Sequence, residues 1–216
     1  MNLNVTEVVF ILDRSGSMSN LVSDTIGGYN SMLEKQKRLS GDVLITTILF
    51  DDQYEILYEN VNLKEVFNIT EKEYYVRGST ALLDAMGKTI NYIGKKLENI
   101  QEDMRPGKVL FVIITDGYEN SSREFNYKKI KSMVEHQKSK YSWEFIFLGA
   151  NIDAIAVADN LGIADDRAVN YCADSKGTLE GYESINYAIN SIRVNKEIDK
   201  NWKKNTDEDY QRRNKR

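Results

Sequence analysis

The chain has 216 residues, 41% hydrophobic and 29% charged, which suits one globular domain with a sizeable core rather than two thin ones. A net charge of −4 gives the molecule no general attraction to nucleic acid or to an anionic membrane. The single cysteine, Cys172, excludes an intramolecular disulfide and a cysteine-rich zinc site.

From the amino terminus, Val5–Leu12 is a β-branched run of strand type that ends at Asp13. No signal-peptide pattern accompanies it, and no apolar stretch in the chain approaches the roughly 18–20 residues of a membrane span. The expected location is the cytoplasm. From Asn20 to Gln36, Val22, Ile26, Tyr29, Leu33 and Gln36 recur at steps of three and four, the mark of a helix with one buried face. Val43–Phe50 reads as a second strand. Asp51 and Asp52 make a tight turn into Tyr54–Glu59, a link so short that only an antiparallel hairpin fits. The segment from Asn60 to Gly78 is irregular, with a short turn or helix around Leu63–Phe67.

The clearest helix spans Ala81–Ile100, where Leu83, Met86, Ile90, Ile93, Leu97 and Ile100 form one apolar stripe. Pro106-Gly107 is expected to stop it. Val109–Ile114 is almost uninterrupted in its apolarity, as a strand buried on both faces of a parallel sheet must be. A helix at about Glu124–Ser139, a strand Trp143–Leu148, a short helix Asp153–Leu161 and a weak strand Ala168–Tyr171 follow. Leu179–Ile198 reads as the last amphipathic helix, burying Tyr182, Ile185, Ile189 and Ile192. Alternating strands and helices predict a doubly wound α/β fold: a mostly parallel sheet, one antiparallel edge strand and helices on both faces. Residues 1–200 make the domain. Residues 201–216 are almost wholly polar and are expected to be a frayed helix end or a disordered tail, with Arg212, Arg213, Lys215 and Arg216 keeping it solvated.

Three separated segments carry oxygen side chains suited to one site. Asp13, Ser15 and Ser17 follow the first strand, and side chains at alternate positions of extended chain point the same way. Gly16 allows the sharp turn. Thr80 lies in Gly78-Ser79-Thr80 at the start of the best helix, and Asp116 in Thr115-Asp116-Gly117 ends the most buried strand. In a doubly wound sheet, ligands bind beyond the carboxyl ends of strands where neighbouring connections leave for opposite faces. Two carboxylates and three hydroxyls are hard donors, suited to Mg²⁺, with Mn²⁺ or Ca²⁺ as substitutes, and ill suited to zinc or copper. Two aspartates only neutralise a divalent ion, so the ion retains the capacity to accept one more carboxylate from outside.

Here the sequence resembles the von Willebrand factor A (vWA) domain family. Asp13-Arg14-Ser15-Gly16-Ser17-Met18 matches the family's D-x-S-x-S signature, Thr80 its separate threonine and Asp116 its second aspartate, over roughly residues 5–199. The resemblance implies a Rossmann-like fold and a metal-ion-dependent adhesion site. It also implies direct ligation by Ser15, Ser17 and Thr80, with Asp13 and Asp116 acting largely through waters and a partner's Glu or Asp completing the shell. It is closest in form to stand-alone intracellular bacterial or phage members, whose partners are often assembly machines such as AAA-type ATPases. That extension to partners is analogy.

Other readings compete at single positions. Ser15 and Ser17 could cap the following helix, although Ser19 and Asn20 can do so alone, and Thr80 could cap its own. Asp153 is read as the N-cap of its short helix. Arg77, Tyr118, Glu119 and Asn120 flank the motif loops, either as partner contacts or as solvated rim, and Asn151 lies on the same rim. His136, the lone histidine, is expected on the surface. An alternative function is a magnesium-dependent phosphohydrolase on a similar sheet, but Ser15 stands where that chemistry needs a second carboxylate. A serine hydrolase or a nucleotide site lacks its motif. The chain is not expected to be an enzyme.

Overall fold

In the computed structural model, which describes residues 1–214, six strands form one sheet. They are β1 (Asn2–Asp13), β2 (Asp42–Phe50), β3 (Tyr54–Asn62), β4 (Pro106–Thr115), β5 (Glu144–Gly149) and β6 (Ala168–Asn170). The order across the sheet is β3-β2-β1-β4-β5-β6, parallel throughout except for the antiparallel β2–β3 hairpin. The helices are α1 (Val22–Lys37), α2 (Leu82–Glu98), α3 (Tyr127–Tyr141), α4 (Ala154–Asn160), α5 (Ser175–Asn195) and α6 (Lys204–Asn214). None is long and apolar enough to cross a membrane.

The pleat sends alternate residues of β1 to two separate cores. Val8, Phe10 and Leu12 join Tyr29 and Leu33 of α1 and Ile185 and Ile189 of α5. Val9 and Ile11 join Met86, Ile90 and Ile93 of α2 and Val134 of α3. Helices on both faces explain why β1 and β4 are apolar without alternation. β1 sends its connection to one face, while its neighbour β4 sends the chain to α3 on the other. The carboxyl ends of β1 and β4 therefore bound the crevice in which a doubly wound sheet holds its ligands.

Several expectations need correction. Pro106 does not end α2, which stops at Glu98; it is the first residue of β4, where a missing amide is tolerated. Neither Ser19 nor Asn20 caps α1. Gly16–Leu21 forms 3₁₀ turns that run straight into it, and no side chain caps the helix. α5 begins at Ser175, four residues before the expected start, because the Asp174 side chain accepts from the Gly177 amide at 2.9 Å.

The largest correction concerns the carboxyl terminus. Residues 204–214 form a separate helix, α6, packed along α5, in place of the expected frayed helix end or disordered tail. Trp202, just before it, is 2% exposed and donates its indole N–H to the Asp166 carbonyl at 2.8 Å. Thr206 bonds Ser184 at 2.8 Å, and Asp209 pairs with Lys176, Arg212 and Arg213. Lys203 donates to the carbonyls of Asp165 and Ala168, so this segment also covers the open side of the short edge strand β6. Lys215 and Arg216 lie outside the described residues. At the other edge, β3 carries two register irregularities against β2 and a positive φ of 53° at Asn60, which twist the free edge away from regular pairing.

Candidate metal centre

The β1–α1 connection leaves the sheet at Asp13, and its backbone is fixed at once. The Ser15 amide donates to Asp13 Oδ1 at 2.7 Å, and the Thr115 hydroxyl to Asp13 Oδ2 at 2.5 Å. Both carboxylate oxygens are thus engaged by the protein. The Tyr74 hydroxyl, fully buried, donates to the Asp13 carbonyl at 2.5 Å and holds the strand end from the α1 side. Two backbone bonds dock the Thr80 loop on this connection: Arg77 N–H to Arg14 C=O at 2.9 Å and Gly16 N–H to Gly78 C=O at 3.1 Å.

The hydroxyls then meet. Thr80 Oγ1 lies 3.0 Å from Ser15 Oγ, Ser15 Oγ lies 3.1 Å from Ser17 Oγ, and Ser17 Oγ donates to Asp116 Oδ1 at 2.5 Å. Neighbouring ligands of an octahedral ion with bonds of 2.0–2.1 Å are about 2.9 Å apart, so this spacing serves a small hard cation as well as a hydrogen bond. Gly117 keeps the floor open: a Cβ there would lie 3.1 Å from Ser17 Oγ and 3.5 Å from Thr80 Oγ1. Asp13, Ser15 and Thr80 are buried and Ser17 is exposed, so the cluster faces solvent on the Ser17 side.

Charge is the unusual property of this cluster. Among the described residues, no Lys, Arg or His forms an ion pair with Asp13 or Asp116; the ion pairs lie elsewhere. Burial pushes the Asp13 carboxyl up to about 6, against the opposing hydrogen bonds from Thr115 and Ser15. Burial raises Asp116 as well, opposed by Ser17. No group of three or more His, Cys, Asp or Glu side chains able to hold a metal gathers among the described residues, so the candidate donors are chiefly hydroxyls. Two desolvated carboxylates lacking a cationic side chain among the described residues, beside a chain of three hydroxyls, fit a divalent cation.

No protein-family model and no curated protein matches this chain. Solved structures do. A zinc-occupied form of proximal thread matrix protein 1 from the mussel byssus, with the zinc in its MIDAS motif, superposes with a TM-score of 0.58 at 12% identity, over 84% of this chain and 44% of that one. The ArnB paralog VWA2 from Sulfolobus acidocaldarius gives 0.53 at 20% identity, over 86% and 45%. A von Willebrand factor type A structure from Catenulispora acidiphila gives 0.56 at 12%, over 87% and 42%. The fold is that of a vWA domain. The chain spans less than half the length of each of these structures.

Within this vWA fold, all five expected residues, Asp13, Ser15, Ser17, Thr80 and Asp116, come together at the carboxyl ends of β1 and β4. Capping does not compete for them. Thr80 directs its hydroxyl to Ser15, and the N-cap residue of α2, Ala81, makes no side-chain cap. Asp153 does cap α4, accepting from the Ala156 amide at 3.1 Å.

Besides Arg77, two of the flanking residues turn out to hold loops. The Asn120 side chain accepts from the Thr80 amide at 3.0 Å, and Glu119 accepts from the amides of Leu83, Ser121 and Ser122. Asp84 of α2 reciprocates, accepting from the amides of Arg123, Glu124 and Phe125 at 2.9 Å each. Tyr118 remains on the rim, 57% exposed. His136 is exposed on α3, edge-on to Tyr141 and outside this cluster.

The sequence reading missed Thr115, Tyr74 and Asp51. Thr115 adjoins Asp116 and ends an apolar strand, so its polarity was a usable signal. Tyr74 lies in an irregular segment that offered none.

Proposed function

We propose that this vWA fold is a metal-dependent protein-binding module. Ser15, Ser17 and Thr80 would hold a divalent cation, Mg²⁺ before Mn²⁺ or Ca²⁺, with Asp13 and Asp116 behind them. The cation would supply one open coordination position for an Asp or Glu carboxylate of a partner protein. The observation that carries this reading is the pair of buried, cation-free carboxylates beneath three converging hydroxyls. Thr115 and the Ser15 amide orient Asp13, Asn120 orients Thr80, and Ser17 presents the exposed edge. A single carboxylate contact gives a stable complex only with about 1,000 Å² or more of surrounding interface, which the rim loops around Tyr118 and Arg77 would provide.

Ser15 Oγ is bonded to the hydroxyls of Thr80 and Ser17, and the lone histidine, His136, lies on α3 outside the cluster, which favours a ligand role for these hydroxyls over nucleophilic catalysis.

Isothermal titration calorimetry with MgCl₂ tests the reading directly. One site per chain is expected for the wild type and none for Ser17→Ala. Thermal melts should confirm that the variant is folded. Stoichiometric binding retained by Ser17→Ala would remove the site from these residues.

Proton and cation also compete for Asp13. With its carboxyl near 6, Mg²⁺ affinity is expected to be almost level above pH 7 and about tenfold weaker at pH 5 than at pH 7. Calorimetry at the two pH values gives the ratio, and equal affinities would place the titrating group elsewhere.

A further inference from the structure

We infer that Asp51, in the turn between β2 and β3, is a positioning residue that sets Thr80 against Ser15 and gives the site its preference for Mg²⁺ over Ca²⁺. The inference rests on the metal reading above. Turn aspartates are ordinarily solvated, whereas Asp51 is fully buried. Its carboxylate accepts from Arg77 Nε at 2.6 Å, from Arg14 Nε at 3.3 Å and from the Gln53 amide at 2.6 Å. Its carbonyl accepts from the Ala81 amide at 2.9 Å.

These contacts fall on both ligand-bearing loops. Arg14 lies between Asp13 and Ser15. Arg77 and Ala81 bracket Thr80. One residue therefore ties together the two segments whose hydroxyls must stand about 3 Å apart.

The surroundings make its charge hard to replace. Arg14 is itself fully buried, with Nη1 unpartnered, and the Tyr75 ring has the Arg14 and Arg77 guanidiniums each 5.5 Å from its centre. Glu55, half-exposed, is the other counter-charge, 2.7 Å from Arg14 Nη2 and 3.8 Å from Arg77 Nη2. Neutralising Asp51 leaves two guanidiniums against one exposed carboxylate and weakens the side-chain tie between the turn and the 77–81 loop. Gly78 lets that loop pass close to the turn: its φ is +63°, and a Cβ there would meet Asp52 Oδ1 at 2.1 Å.

A loosened Thr80 affects the two ions differently. Mg²⁺ demands near-ideal octahedral ligands at 2.0–2.1 Å, while Ca²⁺ accepts 2.3–2.6 Å in flexible geometry. The test is calorimetry of MgCl₂ and CaCl₂ on the wild type, Asp51→Asn, Arg77→Gln and the distant core control Ile192→Val. Asp51→Asn is expected to lose about tenfold in Mg²⁺ affinity and threefold or less in Ca²⁺ affinity. Arg77→Gln should shift the ratio the same way by less, and it serves in place of Asp51→Asn if that variant does not fold. Ile192→Val should lower the melting temperature and leave both affinities unchanged. Equal loss for both ions, or an unchanged ratio, overturns the inference while leaving the metal site standing. A wild type that binds neither ion overturns the metal reading, and the inference with it.

Discussion

Replacing Asp13 with asparagine is expected to make the metal-free protein more stable at neutral pH while weakening Mg²⁺ binding severely. Burial raises the Asp13 carboxyl from 3.8 to about 6, so the folded state holds that proton more tightly than the unfolded chain does. The stability this lends is complete below pH 4 and is lost as the pH rises through 6. At pH 7.5 the ionised, buried group then costs on the order of 3 kcal/mol. Asparagine removes the charge and keeps an oxygen for the Ser15 amide. The Thr115 hydroxyl can then donate instead to the Gly117 carbonyl, 3.1 Å away, and accept from the new amide.

A net gain of about 2 kcal/mol corresponds to about 4–8 °C in melting temperature for a chain of this length. Mg²⁺ affinity should fall by about 100-fold or more, since the site loses half of its negative charge. Melts in EDTA at pH 4 and pH 7.5 measure the first effect. A variant less stable than wild type at pH 7.5, or equally stabilised at both pH values, would show that Asp13 is not the strained charge described here. Such an exchange of stability for a binding site is common at functional positions.

Trp202→Ala is expected to cost about 3–5 kcal/mol, the range for deleting a buried indole, and to lower the melting temperature by about 10 °C. The ring is 2% exposed in the core shared by α5 and β6, and its N–H satisfies the Asp166 carbonyl at 2.8 Å. Few apolar contacts can compensate, because α6 itself buries only Thr206 and Asp209. Hydrogen exchange should therefore show residues 204–214 losing protection together. Trp202→Phe keeps most of the ring but strands the Asp166 carbonyl, and about 1–2 kcal/mol is expected. A loss below 1 kcal/mol for the alanine variant would mean that the ion pairs of α6 hold it without the indole.

The five candidate ligands were legible because each sits at the end of an element with a strong apolar pattern: β1 before Asp13, α2 after Thr80, β4 before Asp116. Periodicity located the elements, and the doubly wound topology then brought their ends together. α6 was not legible. Its sequence has no apolar stripe, since it is fastened by Trp202 outside the helix and by ion pairs from Asp209 to Lys176 and from Arg213 to Asp174, partners far away in sequence. Asp51 was hidden differently. A turn aspartate is ordinary in sequence, and only the arrival of Arg14 and Arg77 from distant segments buries it. The cap of α5 at Asp174 was missed because Gly177, Thr178 and Gly181 dilute the hydrophobic pattern of its first turns.

The ion pair between Arg213 and Asp174 bears on how this molecule should be handled. Asp174 follows β6 at the edge of the sheet where the strands deliver the loops of the proposed metal site, and β4 and β6 are two strand spacings apart, roughly 10 Å. Residue 214, at the end of α6, therefore lies on the side of the proposed partner face, whereas Met1 enters at the far end of β1. Beads, fluorophores or fusion tags attached through the amino terminus leave that face clear. Attachment at the end of α6 is expected to crowd it, and a capture assay oriented that way would report weak affinity for reasons of geometry alone.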